Sequence, residues 1–116
     1  IKRMTGEKGI AQAKLAFEYK GRIYISDYNG ANPKAVIKDR CLNLFPNWSP
    51  NGDKLVYTSY LYGYPQVFIY NLKTGKRRRI CGYPGLNTSA AFSPDGKYLA
   101  VTLSKDGNPD IYIIDV

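Results

Sequence analysis

Apolar and polar residues alternate along most of this chain in runs of four to seven, broken by Gly, Pro, Asn and Asp. A two-residue period between such breaks predicts β-strands. The clearest runs cover residues 14–19, 22–28 and 34–38, then 44–49, 54–60, 66–72 and 76–81, then 88–92, 98–104 and 110–116. Residues 2–6 read as a brief strand ending at Gly6, and 10–12 as another. Several runs are nearly continuous in apolar residues, as expected for strands packed on both faces.

One stretch occurs twice. Asn47-Trp48-Ser49-Pro50-Asn51-Gly52-Asp53-Lys54-Leu55-Val56-Tyr57 returns as Ala91-Phe92-Ser93-Pro94-Asp95-Gly96-Lys97-Tyr98-Leu99-Ala100-Val101, with Trp48 and Phe92 44 residues apart. Pro50 and Pro94 preset φ at the first central turn position. Gly52 and Gly96 supply the positive φ on exit. Each copy therefore predicts an antiparallel hairpin. The sets Ile23-Tyr24-Ile25, Val67-Phe68-Ile69 and Ile111-Tyr112-Ile113 are also spaced by 44 residues. Four strands at this period are the mark of a β-propeller blade. A β-sandwich with similar hairpins is the competing reading, and it leaves the constant offset unexplained.

The expected architecture is all-β: three blades' worth of four-stranded antiparallel sheets. With strands A to D running from axis to rim, residues 1–6 give an outer clasp strand. Residues 10–40 and 42–82 give two full blades, and 86–116 a third that lacks its outer strand. Three blades do not close a ring. The expectation is that two copies join head-to-tail as a homodimer, each clasp strand completing the partner's last blade in a six-bladed ring. The chain starts at Ile1, which suggests a processed or excised product.

Composition narrows the chemistry. The chain has 116 residues, a net charge of +8 and no histidine. Without histidine there is no Ser–His–Asp or Cys–His nucleophile pair and no imidazole metal set. No catalytic residue, cofactor or metal site is expected. Cys41 and Cys81 read either as free thiols or as a disulfide. Asp106-Gly107-Asn108-Pro109-Asp110 looks like a calcium loop but lacks the spacing and the final Glu. It reads as a turn. The run Lys76-Arg77-Arg78-Arg79 falls on an outermost strand, where charge guards an edge and alternation splits it between two faces. Nucleic acid is not an expected partner. No apolar run reaches bilayer length, so direct membrane insertion is not expected either. Tyr60, Tyr62 and Tyr64 suit packing over a neighbouring blade or a ligand platform.

The segments Thr5-Gly6-Glu7-Lys8-Gly9, Asp27-Tyr28-Asn29-Gly30-Ala31-Asn32-Pro33 and Trp48-Ser49-Pro50-Asn51-Gly52 open a longer series. Thr74-Gly75-Lys76-Arg77, Tyr83-Pro84-Gly85-Leu86-Asn87, Ala91-Phe92-Ser93-Pro94-Asp95-Gly96 and the stretch from Ser104 to Tyr112 complete it. In this order they resemble the C-terminal propeller of the TolB family, periplasmic proteins of the Tol–Pal system of Gram-negative bacteria. The resemblance covers essentially the whole chain but only about half of a six-bladed propeller. It implies a non-enzymatic scaffold that binds the lipoprotein Pal and other Tol proteins and is exploited in colicin import. In that family partners bind at the central opening, rimmed by the loops that join strand D to the next strand A. By position the rim residues are Leu42, Asn43, Leu44, Phe45 and Leu86, Asn87, Thr88, Ser89. The Asn43 and Asn87 amides suit either a partner's backbone or local loop capping. An accessory propeller of a serine peptidase is the alternative, and it lacks both the nucleophile elbow and histidine here. An excised or engineered half-propeller without retained binding is another.

Overall fold

The computed structural model describes residues 14–83, 85, 87–105 and 107–116; of Thr88 and Ser89 only the strand position is described. The strands expected at 2–6 and 10–12, and the residues Pro84, Leu86 and Asp106, lie outside them.

Among the described residues ten strands form three antiparallel sheets. The first holds β1 (Lys14–Tyr19), β2 (Arg22–Asp27) and β3 (Lys34–Ile37). The second holds β4 (Asn43–Trp48), β5 (Lys54–Ser59), β6 (Gln66–Asn71) and β7 (Arg77–Cys81). The third holds β8 (Asn87–Phe92), β9 (Tyr98–Leu103) and β10 (Asp110–Asp115). Each sheet is a meander in chain order, so every connection is a short hairpin. No helix of the described residues is long and apolar enough to cross a membrane.

The β4–β5 and β8–β9 turns form as their sequences require. Gly52 and Gly96 sit at φ 78° and 74°. Their amides donate to the carbonyls of Ser49 and Ser93 at 3.0 and 2.9 Å. The serines add a contact that the Pro and Gly pattern does not disclose. The Ser49 hydroxyl accepts from the Lys54 amide at 3.0 Å, and the Ser93 hydroxyl from the Tyr98 amide at 3.1 Å. The hydroxyls in turn donate to Asn51 and to Asp95, at 3.0 and 2.6 Å. The Ser93 hydroxyl, and next the Lys97 amide, hold the Asp95 carboxyl below its usual range. At Asn29-Gly30 the hairpin is longer than a two-residue turn. It runs from Asp27 to Lys34, with Gly30 at φ 86° and Asn32 at φ 55°.

The sheets stack face to face, and two apolar layers hold them. Ile23 and Ile37 of the first sheet meet Leu55, Tyr57 and Phe68 of the second. On the other side Val56, Val67, Ile69 and Cys81 meet Ala90, Leu99, Val101 and Leu103 of the third. Successive residues of β5 thus serve opposite layers, which explains its unbroken apolar run. Burying each such side chain contributes roughly 1.5–3 kcal/mol. The inner strands converge, with the Asn47 amide on β4 donating to the Ala90 carbonyl on β8 at 2.9 Å. Among the described residues nothing covers the outer face of either end sheet. On β10, Ile111 and Ile113 are 74% and 67% exposed, while Tyr112 and Ile114 between them pack inward. Cys41 and Cys81 are free thiols, and burial pushes the Cys81 thiol up.

Candidate partner-binding mouth

The residues Leu42 to Phe45 follow the connection from β3 to β4, and their counterparts follow the connection from β7 to β8. Asn43 and Asn87 open β4 and β8, and both are 0% exposed. The Asn43 amide donates to the carbonyl of Gly21 at 3.0 Å and of Cys41 at 3.1 Å. The Asn87 amide donates to Pro65 at 3.1 Å, Gly85 at 3.2 Å and Tyr83 at 2.6 Å. Its oxygen accepts the Tyr83 amide at 3.2 Å.

These contacts repeat. Each asparagine reaches a carbonyl 22 residues back, in a hairpin connection of the preceding sheet, and another two residues back. Gly21 and Pro65 are 44 apart, as are Cys41 and Gly85. One side chain thereby ties two loops together. Buried carbonyls need such partners, because an unmet one costs about 1–3 kcal/mol. Of the two roles open to these amides, loop capping is the one the geometry displays. The matching 22-residue spacing was present in the sequence, but nothing there paired the two loops.

The neighbouring apolar side chains point outward. Leu42 lies 43% exposed and packs its Cδ1 over Gly21, whose φ of 78° leaves room there for no side chain without strain. Phe45 is 52% exposed and takes a left-handed φ of 56°. It stands in a β-bulge, where the β4–β5 register shifts between Leu44 and Asn47. The β8–β9 register shifts at the matching place, between Thr88 and Ala91. Bulges at inner strands re-aim side chains. A bulky residue held at positive φ stores strain of about 1–3 kcal/mol, a feature concentrated at functional positions. Leu44 is half-buried.

The asparagine clamps thus repeat every 44 residues along stacked antiparallel sheets of three, four and three described strands, whose inner strands converge. Residues 1–116 match the TolB beta propeller domain. The chain belongs to the TolB β-propeller family. It is 38% identical over 127 residues to the Tol-Pal system protein TolB of Francisella tularensis subsp. mediasiatica (strain FSC147), and equally to that of subsp. holarctica (strain OSU18). Each alignment covers 98% of this chain and 29% of the relative, so the chain spans under a third of those proteins. TolB from Acinetobacter baumannii superposes with a TM-score of 0.77 at 34% identity, over 88% of this chain and 27% of that one. A putative TolB from Agrobacterium tumefaciens also gives 0.77, at 20% identity over 88% of this chain and 38% of that one, and supports the fold alone.

In this TolB-type propeller segment the same end of the sheets carries a fringe of exposed aromatic residues. Tyr19, Tyr62, Tyr64 and Tyr83 all lie there. The Tyr64 hydroxyl donates to the Gly82 carbonyl at 3.2 Å, fastening the β5–β6 loop to the β7–β8 loop. Lys105 stands 4.8 Å from the Tyr83 ring centre, a cation–π distance. Behind the first loop, Arg77 of β7 pairs with Asp39. Beside them burial pushes the Tyr57 phenol up to about 12, with the Arg77 guanidinium opposing the shift.

Proposed function

We propose that this chain is part of a non-enzymatic scaffold of the Tol–Pal system, working in the periplasm, and that it binds a Pal-like lipoprotein at the central opening of its propeller. Family membership supports the system. The observation that carries the site is Phe45: a large aromatic held half-exposed and strained on an innermost strand, next to exposed Leu42. On this reading Leu42, Leu44 and Phe45 touch the partner, and Leu86, Thr88 and Ser89 do so one blade on. Asn43 and Asn87 shape the rim from beneath.

The test is calorimetric titration of Pal into the wild-type protein and into Leu42→Ala and Phe45→Gly, with Lys73→Ala as a distant control. Buried aromatic anchors at interfaces are each worth about 2 kcal/mol or more. Phe45→Gly therefore weakens binding at least tenfold, while Lys73→Ala leaves it unchanged. Pal binding that is indifferent to both rim variants rejects the site; absence of any binding by folded protein rejects the function.

A second reading concerns assembly. Ile111 and Ile113 present an apolar strip on the free face of β10, and sheets of this kind stack on one another. Two copies closing one ring would cover that strip. A sedimentation mass of two chains supports it; a folded single chain rules it out.

A further inference from the structure

The first and second sheets part at the end opposite the mouth, leaving a cleft of about 500 Å³. That volume is in the range of small-molecule sites. Its floor is apolar, formed by Ile25, Val36 and Leu72. Its rim carries Lys14, Lys34 and Lys38, with the Asn32 amide and Tyr70 alongside. The one carboxylate among the lining residues is Asp27. Both its oxygens are engaged, by Lys14 at 3.1 Å and by the Asn32 amide at 2.9 Å. These contacts, Asn32 first, hold the Asp27 carboxyl below its usual range. Among the described residues Lys34 and Lys38 have no ion-pair partner. Among its described lining residues the cleft therefore holds three cations and one anion over an apolar floor.

The molecule contains its own comparison. Ile25 pairs with Lys34 in the first sheet, as Ile69 pairs with Arg78 in the second. A second cleft, of about 230 Å³, lies between the second and third sheets; it shares the positions of Ile25, Lys34 and Leu72 as Ile69, Arg78 and Val116, and Lys54 and Arg78 share it with Asp53 and Asp95. Lys54 lies 3.6 Å from Asp53. Two cations meet two anions among the lining residues there, so that cleft is electrically balanced.

We propose that the cleft between the first two sheets binds a phosphate group carried on an apolar stem. The lysine ammonium groups act as point charges for the phosphate, as lysines commonly do. The apolar floor takes the stem. Lys34 and Lys38 supply the uncompensated charge, and Lys14 stays with Asp27.

The experiment is an NMR titration of the isotopically labelled chain with phenyl phosphate, then with inorganic phosphate, and a sedimentation assay with phosphatidylglycerol vesicles. Two double variants carry equal charge changes: Lys34→Gln with Lys38→Gln inside the cleft, and Lys73→Gln with Lys76→Gln outside it. Exposed lysines are replaced in both, and each variant's backbone spectrum verifies folding. Phenyl phosphate should shift the amides of residues 34–38 and 70–72 saturably and bind more tightly than inorganic phosphate. The cleft variant should lose at least tenfold in affinity, and the outer variant less than twofold. Vesicle binding lost in the cleft variant would name a lipid headgroup as the source; phenyl phosphate binding without vesicle binding would name a soluble phosphate. The proposal is overturned by unsaturable shifts, by equal loss in the two variants, or by shifts centred on residues 51–54 and 95–96 of the balanced cleft.

Discussion

Replacing Asn87 by Ala removes one side chain that serves three carbonyls and one amide. The carbonyls of Pro65, Gly85 and Tyr83 lie 3.1, 3.2 and 2.6 Å from its nitrogen, and the Tyr83 amide 3.2 Å from its oxygen. Two protons shared among three acceptors, plus one accepted bond, amount to about three effective hydrogen bonds. At about 1 kcal/mol each, the loss is about 3 kcal/mol. Asn43 makes two amide bonds, and its buried oxygen has no partner among the described residues. Asn43→Ala removes that orphaned oxygen along with the bonds, so its effect is smaller, about 1–2 kcal/mol. The assay is equilibrium urea unfolding followed by the fluorescence of Trp48, the single tryptophan. With a slope of about 1.5 kcal/mol per M for a chain of this size, Asn87→Ala lowers the midpoint by about 2 M. A fall below about 0.5 M would show that water replaces the amide without loss, and the clamp argument would be wrong. Asn87→Asp adds a sign. A carboxylate set against carbonyl oxygens has its folded pKa raised. Its penalty is therefore slight below the unfolded carboxyl value and grows as pH rises through the folded one.

Two further outcomes follow from the paired turns. Gly52 has open space around its missing side chain but sits at φ 78°; Gly52→Ala should destabilise the chain by about 1 kcal/mol in the same urea assay, through backbone strain alone, and a neutral result would contradict that. The Ser93 hydroxyl is the main cause of the depressed Asp95 pKa. A depressed carboxyl contributes stability above its unfolded value that is lost as pH falls through the folded one. Ser93→Ala should return the Asp95 titration, followed by carboxyl-carbon NMR, towards the ordinary aspartate range and shrink that acid dependence; an unmoved titration would refute the assignment.

The repeat made most of the fold readable. Pro50, Gly52, Pro94 and Gly96 mark turns whose geometry only those residues favour, and alternation marks the strands between them. Each described strand ends within one residue of its expected limits. The rest depended on relations between sheets, which one strand's pattern does not carry. Phe45 gave no sign of its left-handed backbone, because a phenylalanine is not a residue chosen for that conformation. The burial of Asn43 and Asn87 follows from where the Gly21 and Pro65 turns come to lie. The two clefts share the positions Ile25/Ile69 and Lys34/Arg78, and the gathering of Asp53 and Asp95 in one of them depends on how the turns of neighbouring sheets meet.

Hydrogen exchange of the protein with and without Pal reads the location of contact directly. Contact at the mouth predicts slowed exchange at residues 41–46 and 87–89, on the innermost strands and the loops feeding them. Protection confined to β7 or to the turns at residues 50–53 and 94–97, with the mouth unchanged, would contradict it.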